Sequence, residues 1–139
     1  MYSIKRLLVL FFLMGFGIFS NAQTSTDNSC SSDFKKDVLL DSVQISEEYS
    51  IQVQDVKKIK KLVSPYSDHA IIQFRYMLST PSRYCGAFLG EMNGDKFSKE
   101  ALECIHAMIK GDVLTLFCIK VKTKTGQVAY LPTKVLVIE

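Results

Sequence analysis

Residues 97–132 read FSKEALECIHAMIKGDVLTLFCIKVKTKTGQVAYLP, and this stretch decides the fold. Ser98 is placed to cap a helix, because its side-chain oxygen can accept a hydrogen bond from a free N–H group of the first turn. Apolar residues then recur at helical spacing: Ala101, Leu102, Ile105, Met108 and Ile109. Gly111 follows, at the place of a left-handed C-terminal cap. The stretch predicts a short amphipathic helix over about residues 98–110.

After Gly111 the pattern changes to that of a β-hairpin. Alternation with a period of two predicts a strand that carries on one face Val113, Phe117, Ile119 and Val121. Residues 124–126 (Lys-Thr-Gly) supply a reversal, and residues 128–131 return as a second strand. A helix that connects strands, followed by a hairpin, describes a scaffold and identifies no reaction.

The first 22 residues have the composition of a secretory signal peptide. Lys5 and Arg6 precede an apolar run over residues 7–19, and Ser20-Asn21-Ala22 supplies a small-x-small cleavage site. The run is shorter than the stretch of about 20 apolar residues that a membrane-spanning helix needs. We therefore expect a signal peptide over residues 1–22, a flexible polar leader over residues 23–36 and one domain over residues 37–139. The exported product is expected to be periplasmic or secreted.

The charge balance depends on that segment. The chain has 17 basic and 14 acidic residues, and two of the basic residues but none of the acidic ones lie in residues 1–22. The rest therefore carries 15 basic and 14 acidic residues, a formal charge of +1. Phosphate binding needs clustered cations and a net basic footprint. The charge thus argues against nucleic acid as a partner.

Residues outside the opening stretch add further strand patterns. Residues 38–45 indicate an edge-like strand, and alternation predicts strands at residues 49–54 and 70–79. The glycine-containing residues 84–92 are another strand candidate, and residues 135–138 close the chain as a strand. With the hairpin this gives six or seven strands and one well-formed helix. The sequence predicts a mainly β fold, a two-sheet β-sandwich with one short connecting helix.

A basic cluster in residues 55–63 has two interpretations. It consists of Lys57, Lys58, Lys60 and Lys61. Such a cluster can bind a partner or a membrane surface, or it can be the solvated face of a helical turn or strand edge, where lysine discourages edge pairing. Its short length and the nearby Asp55 and Asp68 favour the solvated face. These lysines and Tyr130, near the last hairpin, are the candidate partner contacts, although core packing explains Tyr130 equally well.

The four cysteines have three possible pairings, and export permits disulfides. Cys85 lies on a predicted strand and Cys104 lies off the apolar stripe of the helix, so these two are the candidate disulfide. Cys30 is expected to be free or to bridge another chain, and Cys118 to be a small buried hydrophobe. A zinc site that combines Cys85, Cys104, His106 and Cys118 is the alternative, but the spacings match none of the usual paired ligand sets.

His69 and His106 are the two residues that could act as bases near neutral pH. Nucleophilic catalysis needs a serine or cysteine held by a histidine with a third orienting group. No nucleophile elbow, catalytic-cysteine signature or phosphate-gripping Gly-Lys-Ser/Thr motif is present. The sequence therefore predicts no enzyme, no catalytic residue, no cofactor, no metal and no small-molecule substrate.

Several short segments of the chain form a recognisable set: Phe97–Glu100, Ile105, Gly111–Leu114, Ile119–Lys122, Gly126, Val128, Leu131-Pro132 and Val135–Ile138. This set resembles the repeated C-terminal domain of the GldM family, a periplasmic component of the gliding-motility and type IX secretion machinery. The likeness covers about residues 97–138, and Lys124-Thr125-Gly126 departs from the usual Pro-Asp-Gly turn. The resemblance implies an immunoglobulin-like β-sandwich that works through protein contacts and has no catalytic residues.

Together these observations predict an exported, non-catalytic protein–protein interaction or structural module. Its expected partner is a protein of the cell envelope, and the resemblance implies an association with the gliding or secretion apparatus. The alternative is a small secreted inhibitor or immunity-like protein that binds one enzyme.

Overall fold

The structure is a computed structural model, and it describes residues 30–41, 43–46, 49–80 and 87–139. The predicted signal peptide, its cleavage site and residues 23–29 of the predicted leader lie outside the described residues. Cys85 also lies outside them.

The described residues form eight strands and two helices. In chain order they are β1 (Leu39–Leu40), β2 (Ser50–Ile51), α1 (Val53–Val56), β3 (Leu62–Val63), β4 (His69–Ser79), β5 (Ala87–Asn93), α2 (Lys99–His106), β6 (Val113–Thr123), β7 (Val128–Leu131) and β8 (Lys134–Ile138).

Six of these strands make the main sheet, in the order β2-β8-β6-β4-β5, with β7 beside the second half of β6. The pairs are antiparallel except for the short parallel pair of β2 with β8. Strands β1 and β3 form a separate two-stranded antiparallel sheet. The prediction of a mainly β, two-sheet fold is confirmed, and the immunoglobulin-like assignment stays a prediction.

A single core joins one face of the main sheet to a layer that contains β1, β3 and both helices. Its largest fully buried side chains are Tyr76, Phe74, Ile51, Ile59, Leu62, Leu78, Ile105, Leu114, Leu116, Ile119, Leu131 and Leu136. Burial of one such aliphatic or aromatic side chain stabilises the fold by about 1.5–3 kcal/mol. This core fixes which face of the main sheet is covered.

Helix α2 begins as the sequence predicts and ends earlier. The Ser98 side chain accepts a hydrogen bond from the N–H of Ala101 at 3.1 Å, which confirms the cap. The helix stops at His106: the N–H of Met108 bonds the carbonyl of Ile105, three residues back, and the N–H of Ile109 bonds the Asp112 carboxylate at 2.8 Å. Gly111 has a φ of 93°, and it serves the turn into β6 rather than the helix end.

Two β-bulges interrupt the alternation of β4 and β6. Ile71 pairs with Val121 and Gln73 with Lys120, so Ile72 is an extra residue in β4. Arg75 then pairs with Phe117, so β6 has its own extra residue near Cys118, whose φ is 48°. Each bulge moves the following residues to the other face of the sheet.

The prediction of which β6 residues face the core is therefore correct for only half of the strand. Ile119 and Val121 are buried as predicted, but Leu114 and Leu116 are the buried residues before the bulge. Val113 and Phe117 belong to the opposite face. In β4 the bulge likewise makes Ile71, rather than Ile72, the buried residue at the start of the strand.

The strand predicted at residues 49–54 is shortened to Ser50–Ile51. Tyr49 has a φ of 59°, and α1 begins at Val53. The edge-like strand predicted over residues 38–45 is likewise reduced to β1. β2 is the end strand of the main sheet and β1 lies in the layer that covers the core, and each ends after two strand residues.

The segment Cys30–Lys36 is attached to the domain. Asp33 and Tyr130 of β7 exchange two hydrogen bonds, from the Asp33 N–H to the Tyr130 carbonyl at 3.0 Å and from the Tyr130 N–H to the Asp33 carboxylate at 3.1 Å. The Phe34 ring packs against Tyr66 and His69, with centroid distances of 4.9 and 5.2 Å. The sequence predicts a flexible leader as far as residue 36, whereas these contacts fasten its last seven residues over the outer edge of β7.

Candidate functional site

The face of the main sheet that is turned away from the core is the candidate site, and we call it the open face. Register places its side chains in rows that run across four strands. Val135, Thr115, Met77 and Leu89 are paired in succession from β8 through β6 and β4 to β5. A second row consists of Val137, Val113, Ser79 and Ala87. The open face is these two rows together with the neighbouring Phe117, Arg75 and Glu91.

The open face is apolar and exposed to solvent. Val135 is 49% exposed, Met77 42% and Leu89 66%, and Val137 in the second row is 39% exposed. Single exposed apolar side chains are common on proteins, but a contiguous exposed set marks an interaction surface. The pairing register makes this set contiguous, because directly opposed residues on one face lie about 4.5–5.5 Å apart.

An ion pair forms one border of the open face. The Arg75 Nε donates to Glu91 Oε2 at 2.6 Å, and the Gln73 side-chain amide donates to Glu91 Oε1 at 2.9 Å. The hydrogen bond from Arg75 is the main cause that holds the pKa of Glu91 below its ordinary value. Glu91 is therefore a carboxylate at neutral pH, with both oxygens engaged.

A shallow hollow of about 350 Å³ lies beside this ion pair. Its lining residues are Arg75, Leu89, Gly90, Glu91, Phe117 and Cys118. A smaller hollow of about 180 Å³ adjoins it and reaches Cys30, Lys120 and Tyr130. The first hollow is a depression in the open face.

The candidate partner contacts do not form one surface. Lys57 and Lys58 follow α1, Lys60 lies between them and β3, and Lys61 pairs with Lys96. This layer covers the core, so it lies on the other side of the main sheet from the open face. Lys58 is also bound to Asp55, with Nζ 2.5 Å from a carboxylate oxygen.

Tyr130 stands apart from the lysine cluster, at the border of the open face. It is half-buried, and Lys120 Nζ lies 5.8 Å from the centre of its ring. Its backbone holds Asp33, as described above. The structure thus brings Tyr130, but not the four lysines, next to the open face.

Two of the cysteines, Cys30 and Cys118, pair differently from the prediction. Cys30 and Cys118 form a disulfide, with their Cα atoms 5.1 Å apart. The expectation of a free or intermolecular Cys30 and of an unpaired buried Cys118 is therefore wrong, because the bulge at Cys118 turns its side chain out of the core towards the open face. Its sulfur is thus unavailable to the zinc site considered above.

Cys104 is also disulfide-bonded. Its predicted partner, Cys85, lies outside the described residues, so the pairing of Cys85 with Cys104 stays a prediction. Disulfides are compatible with an oxidising compartment.

The two histidines have structural contacts. His69 Nδ1 lies 2.6 Å from Asp68 Oδ1, and this hydrogen bond is the main cause that lowers the pKa of Asp68. His106 Nε2 lies 2.9 Å from the backbone carbonyl oxygen of Ile59, which ties α2 to the segment before β3. His69 is thus held by the carboxylate of its neighbour in sequence, and His106 by a backbone carbonyl.

Within the described ranges, no three His, Cys, Asp or Glu residues lie close enough together to hold a metal ion. In that same part of the chain, no helix is both long enough and apolar enough to cross a bilayer.

The open face was missed at the level of sequence, although one signal for it is present. Strand β8 has apolar residues at four successive positions, Val135 to Ile138, so both of its faces are apolar. An antiparallel sheet with one solvated face usually alternates apolar with polar residues. The apolar outward face of β8 is thus visible in the sequence. That it continues across β6, β4 and β5 can be seen only once the pairing register of these strands is known.

No protein-family model matches the sequence, and no curated protein matches it. The resemblance to the C-terminal domain of the GldM family therefore stays a prediction.

Proposed function

We propose that this protein is an exported, non-catalytic interaction module that binds a cell-envelope protein through the open face of its main sheet. The observation that carries the proposal is the in-register apolar row of Val135, Thr115, Met77 and Leu89. The predicted signal peptide and the Cys30–Cys118 disulfide support its export. The likeness to the GldM C-terminal domain supports the same class of function.

The shape of the open face supports a protein partner rather than a small molecule. Small-molecule sites are concave and bury most of the ligand. The two rows instead lie on a sheet surface, where four strands spaced by about 4.8 Å extend over roughly 14 Å. The hollow beside Arg75 and Glu91 adds one depression of the kind that receives an anchoring side chain.

The chemistry of the face indicates what the partner presents. Thr115 and Ser79 are the polar members of the two rows, and Arg75 and Glu91 neutralise each other at the border. A partner surface with aliphatic or aromatic side chains at its centre fits the rows, because apolar area removed from water contributes about 25 cal/mol per Å². A strongly charged partner surface gains no comparable attraction there.

The test is a pair of matched variants in a native pull-down from the cell envelope. Met77→Lys with Val135→Lys places two charges on the open face, and Lys57→Glu with Lys58→Glu alters two charges in the layer on the other side. We expect the wild type and the second variant to retain one defined protein, and the first variant to lose it. A partner that the first variant retains and the second loses would contradict the proposal.

A further measurement distinguishes an adaptor from an inhibitor. If the retained protein is an enzyme, its activity is measured with the purified domain added at increasing ratio. A complete block at one molecule per enzyme identifies an inhibitor, and unchanged activity of the complex identifies an adaptor.

A further inference from the structure

The outer edge of β5 carries backbone groups that point away from the sheet. The N–H of Gly94 donates to the carbonyl of Ile72 at 2.8 Å, which makes these two residues a hydrogen-bonded pair of the antiparallel ladder. Hydrogen-bonded and non-hydrogen-bonded pairs alternate along such a ladder. Continued along β5, this alternation directs the backbone groups of Gly90 and Met92 towards β4. Those of Ala87, Leu89, Glu91 and Asn93 therefore point outwards.

No described residue supplies a partner to these outward groups. Strand β5 is the last strand in the order of the main sheet, and the backbone bonds outside the strands leave residues 87–93 without a neighbour on that side. The other sides of the sheet differ. Asp33 is bonded to the outer edge of β7, and β2 has only two residues before α1 begins.

The sequence of β5 has little of the usual protection of an edge strand, since its one charged residue, Glu91, is paired with Arg75. Natural edges are blunted by lysine, proline, bulges or short length. Residues 87–93 read AFLGEMN, seven residues without lysine or proline, and they pair with β4 without a register shift. Leu89 is 66% and Phe88 40% exposed, so the edge is apolar on both sides of the strand. Such an edge is a template for one more strand.

We propose that the occupant of this edge is the β5 strand of a second copy of this chain, paired antiparallel about a two-fold axis at Leu89. The pairing uses the outward backbone groups of Ala87, Leu89 and Glu91, whose side chains belong to the open face, but it does not rest on the function proposed above. Leu89 then lies opposite its counterpart, and Ala87 lies opposite Glu91 of the other copy. The three pairs form between outward-pointing residues and contribute six backbone hydrogen bonds.

Charge selects this register over those with the axis at Gly90 or Glu91. An axis at Glu91 opposes two carboxylates directly, which is destabilising. An axis at Gly90 also pairs Ala87 with Asn93, but it sets Leu89 against Glu91 and leaves the two carboxylates diagonal to each other, about 7–8 Å apart. With the axis at Leu89 the carboxylates are four positions apart, roughly 13 Å at the rise of a strand. Each carboxylate also keeps its bond to Arg75.

The same register continues the apolar row across the junction. The row from Val135 to Leu89 meets its counterpart at the axis, so eight strands carry apolar or threonine side chains side by side. The assembly closes at two copies, because the pairing occupies the outward groups of Ala87, Leu89 and Glu91 in both copies and the far end of the sheet has only the short β2. Closed two-fold symmetry of this kind is the commonest form of soluble oligomer.

Sedimentation equilibrium of the purified, disulfide-intact protein tests the pairing. Leu89→Lys places two cations opposite each other at the axis. Val135→Lys puts the same charge at the other end of the same row, on a residue of similar chemistry and 49% exposure. We expect the wild type and Val135→Lys to be dimers at about 100 μM, and Leu89→Lys to be a monomer with the urea midpoint that the wild type has when diluted to the monomer. A monomeric wild type at 500 μM overturns the proposal.

Amide hydrogen exchange locates the interface in the same samples. The N–H groups of Leu89 and Glu91 are expected to be protected at high protein concentration and to exchange at least tenfold faster on dilution to the monomer. The N–H groups of Gly90 and Met92 bond to β4 and are expected to be protected at both concentrations. Dimers that form without protection at Leu89 and Glu91, or that Val135→Lys also abolishes, show that the copies meet elsewhere and overturn the pairing.

Discussion

The phenol ring of Tyr76 lies directly over Gly90 on the neighbouring strand. A Cβ atom added at Gly90 would lie 2.5 Å from Cε1, Cζ and Oη of Tyr76, far inside van der Waals contact. The two residues are direct cross-strand partners. The ring is also held by Phe97 and Phe88, with centroid distances of 5.5 and 5.8 Å. The glycine is therefore required by the packing of a side chain and not by its own backbone conformation.

Gly90→Ala is expected to destabilise the protein by about 1–3 kcal/mol, the usual cost of an overpacked site. The added methyl group must displace the Tyr76 ring, which is buried among other aromatic rings. The measurement is the free energy of unfolding in urea, and an unchanged value would show that the ring moves freely.

The Tyr76→Leu background supplies the control for this substitution. Without the phenol ring there is room for a methyl group at Gly90, so Gly90→Ala is expected to cost less there than in the wild type. The double-mutant cycle should give a coupling of about 0.5–3 kcal/mol, the range seen for residues in contact. A coupling near zero would place the cost in the backbone of β5 instead.

Loss of the Cys30–Cys118 disulfide is expected to lower stability. The bridge closes a loop over a sequence separation of 88 residues. In the chain-entropy description a loop of that size stabilises by up to about 4–5 kcal/mol, and measured values are often smaller. Cys30→Ser with Cys118→Ser should lower the urea midpoint, and hydrogen exchange should increase at the N–H of Asp33, which bonds to β7. An unchanged midpoint would contradict this role.

Cys118 also occupies a backbone conformation that favours glycine, since its φ is 48°. Left-handed backbone costs a residue with a Cβ roughly 1–2 kcal/mol, and glycine avoids this cost. In a Cys30→Ser background, Cys118→Gly is therefore expected to be more stable than Cys118→Ser. Equal urea midpoints would show that the bulge relaxes once the disulfide is absent.

The ion pair of Glu91 gives a dependence on pH. Because Arg75 holds the pKa of Glu91 below that of an ordinary glutamate, about 4.3, the pair stabilises the fold above that value. The contribution is lost as the pH falls through the lowered pKa. Carboxyl-detected NMR titration should show this lowered pKa in the wild type and a higher one in Arg75→Met.

Gln73→Leu is the matched control for that titration. It also removes a hydrogen bond to Glu91, but its effect on the pKa is smaller than that of Arg75. The rise in pKa should therefore be smaller in Gln73→Leu than in Arg75→Met. The reverse order, or an ordinary pKa in the wild type, would contradict the assignment of Arg75 as the main cause.

Local signals in the sequence predicted the features that depend on neighbouring residues. The cap at Ser98, the turn at Gly126 with its φ of 86°, and the closing strand β8 all depend on contacts within a few positions along the chain. The mainly β class followed from counting alternating segments. These predictions needed no information about which strands are neighbours.

The features that the sequence did not reveal depend on distant partners. The pairing of Cys30 with Cys118 requires the bulge that turns Cys118 towards the open face. The apolar row exists only because four strands meet in one register. The lysine cluster, which is conspicuous in the sequence, lies in the layer on the other side of the main sheet.

The bulges at Ile72 and near Cys118 cancel each other. Past both of them, β4 and β6 return to the register in which they began. A deletion of one residue in either strand alone would expose buried side chains over half of the sheet, because a slip of one position exchanges the two faces. Related proteins that have lost one of these extra residues are therefore expected to have lost the other as well. A one-residue deletion in β4 should be accompanied by a one-residue deletion in β6.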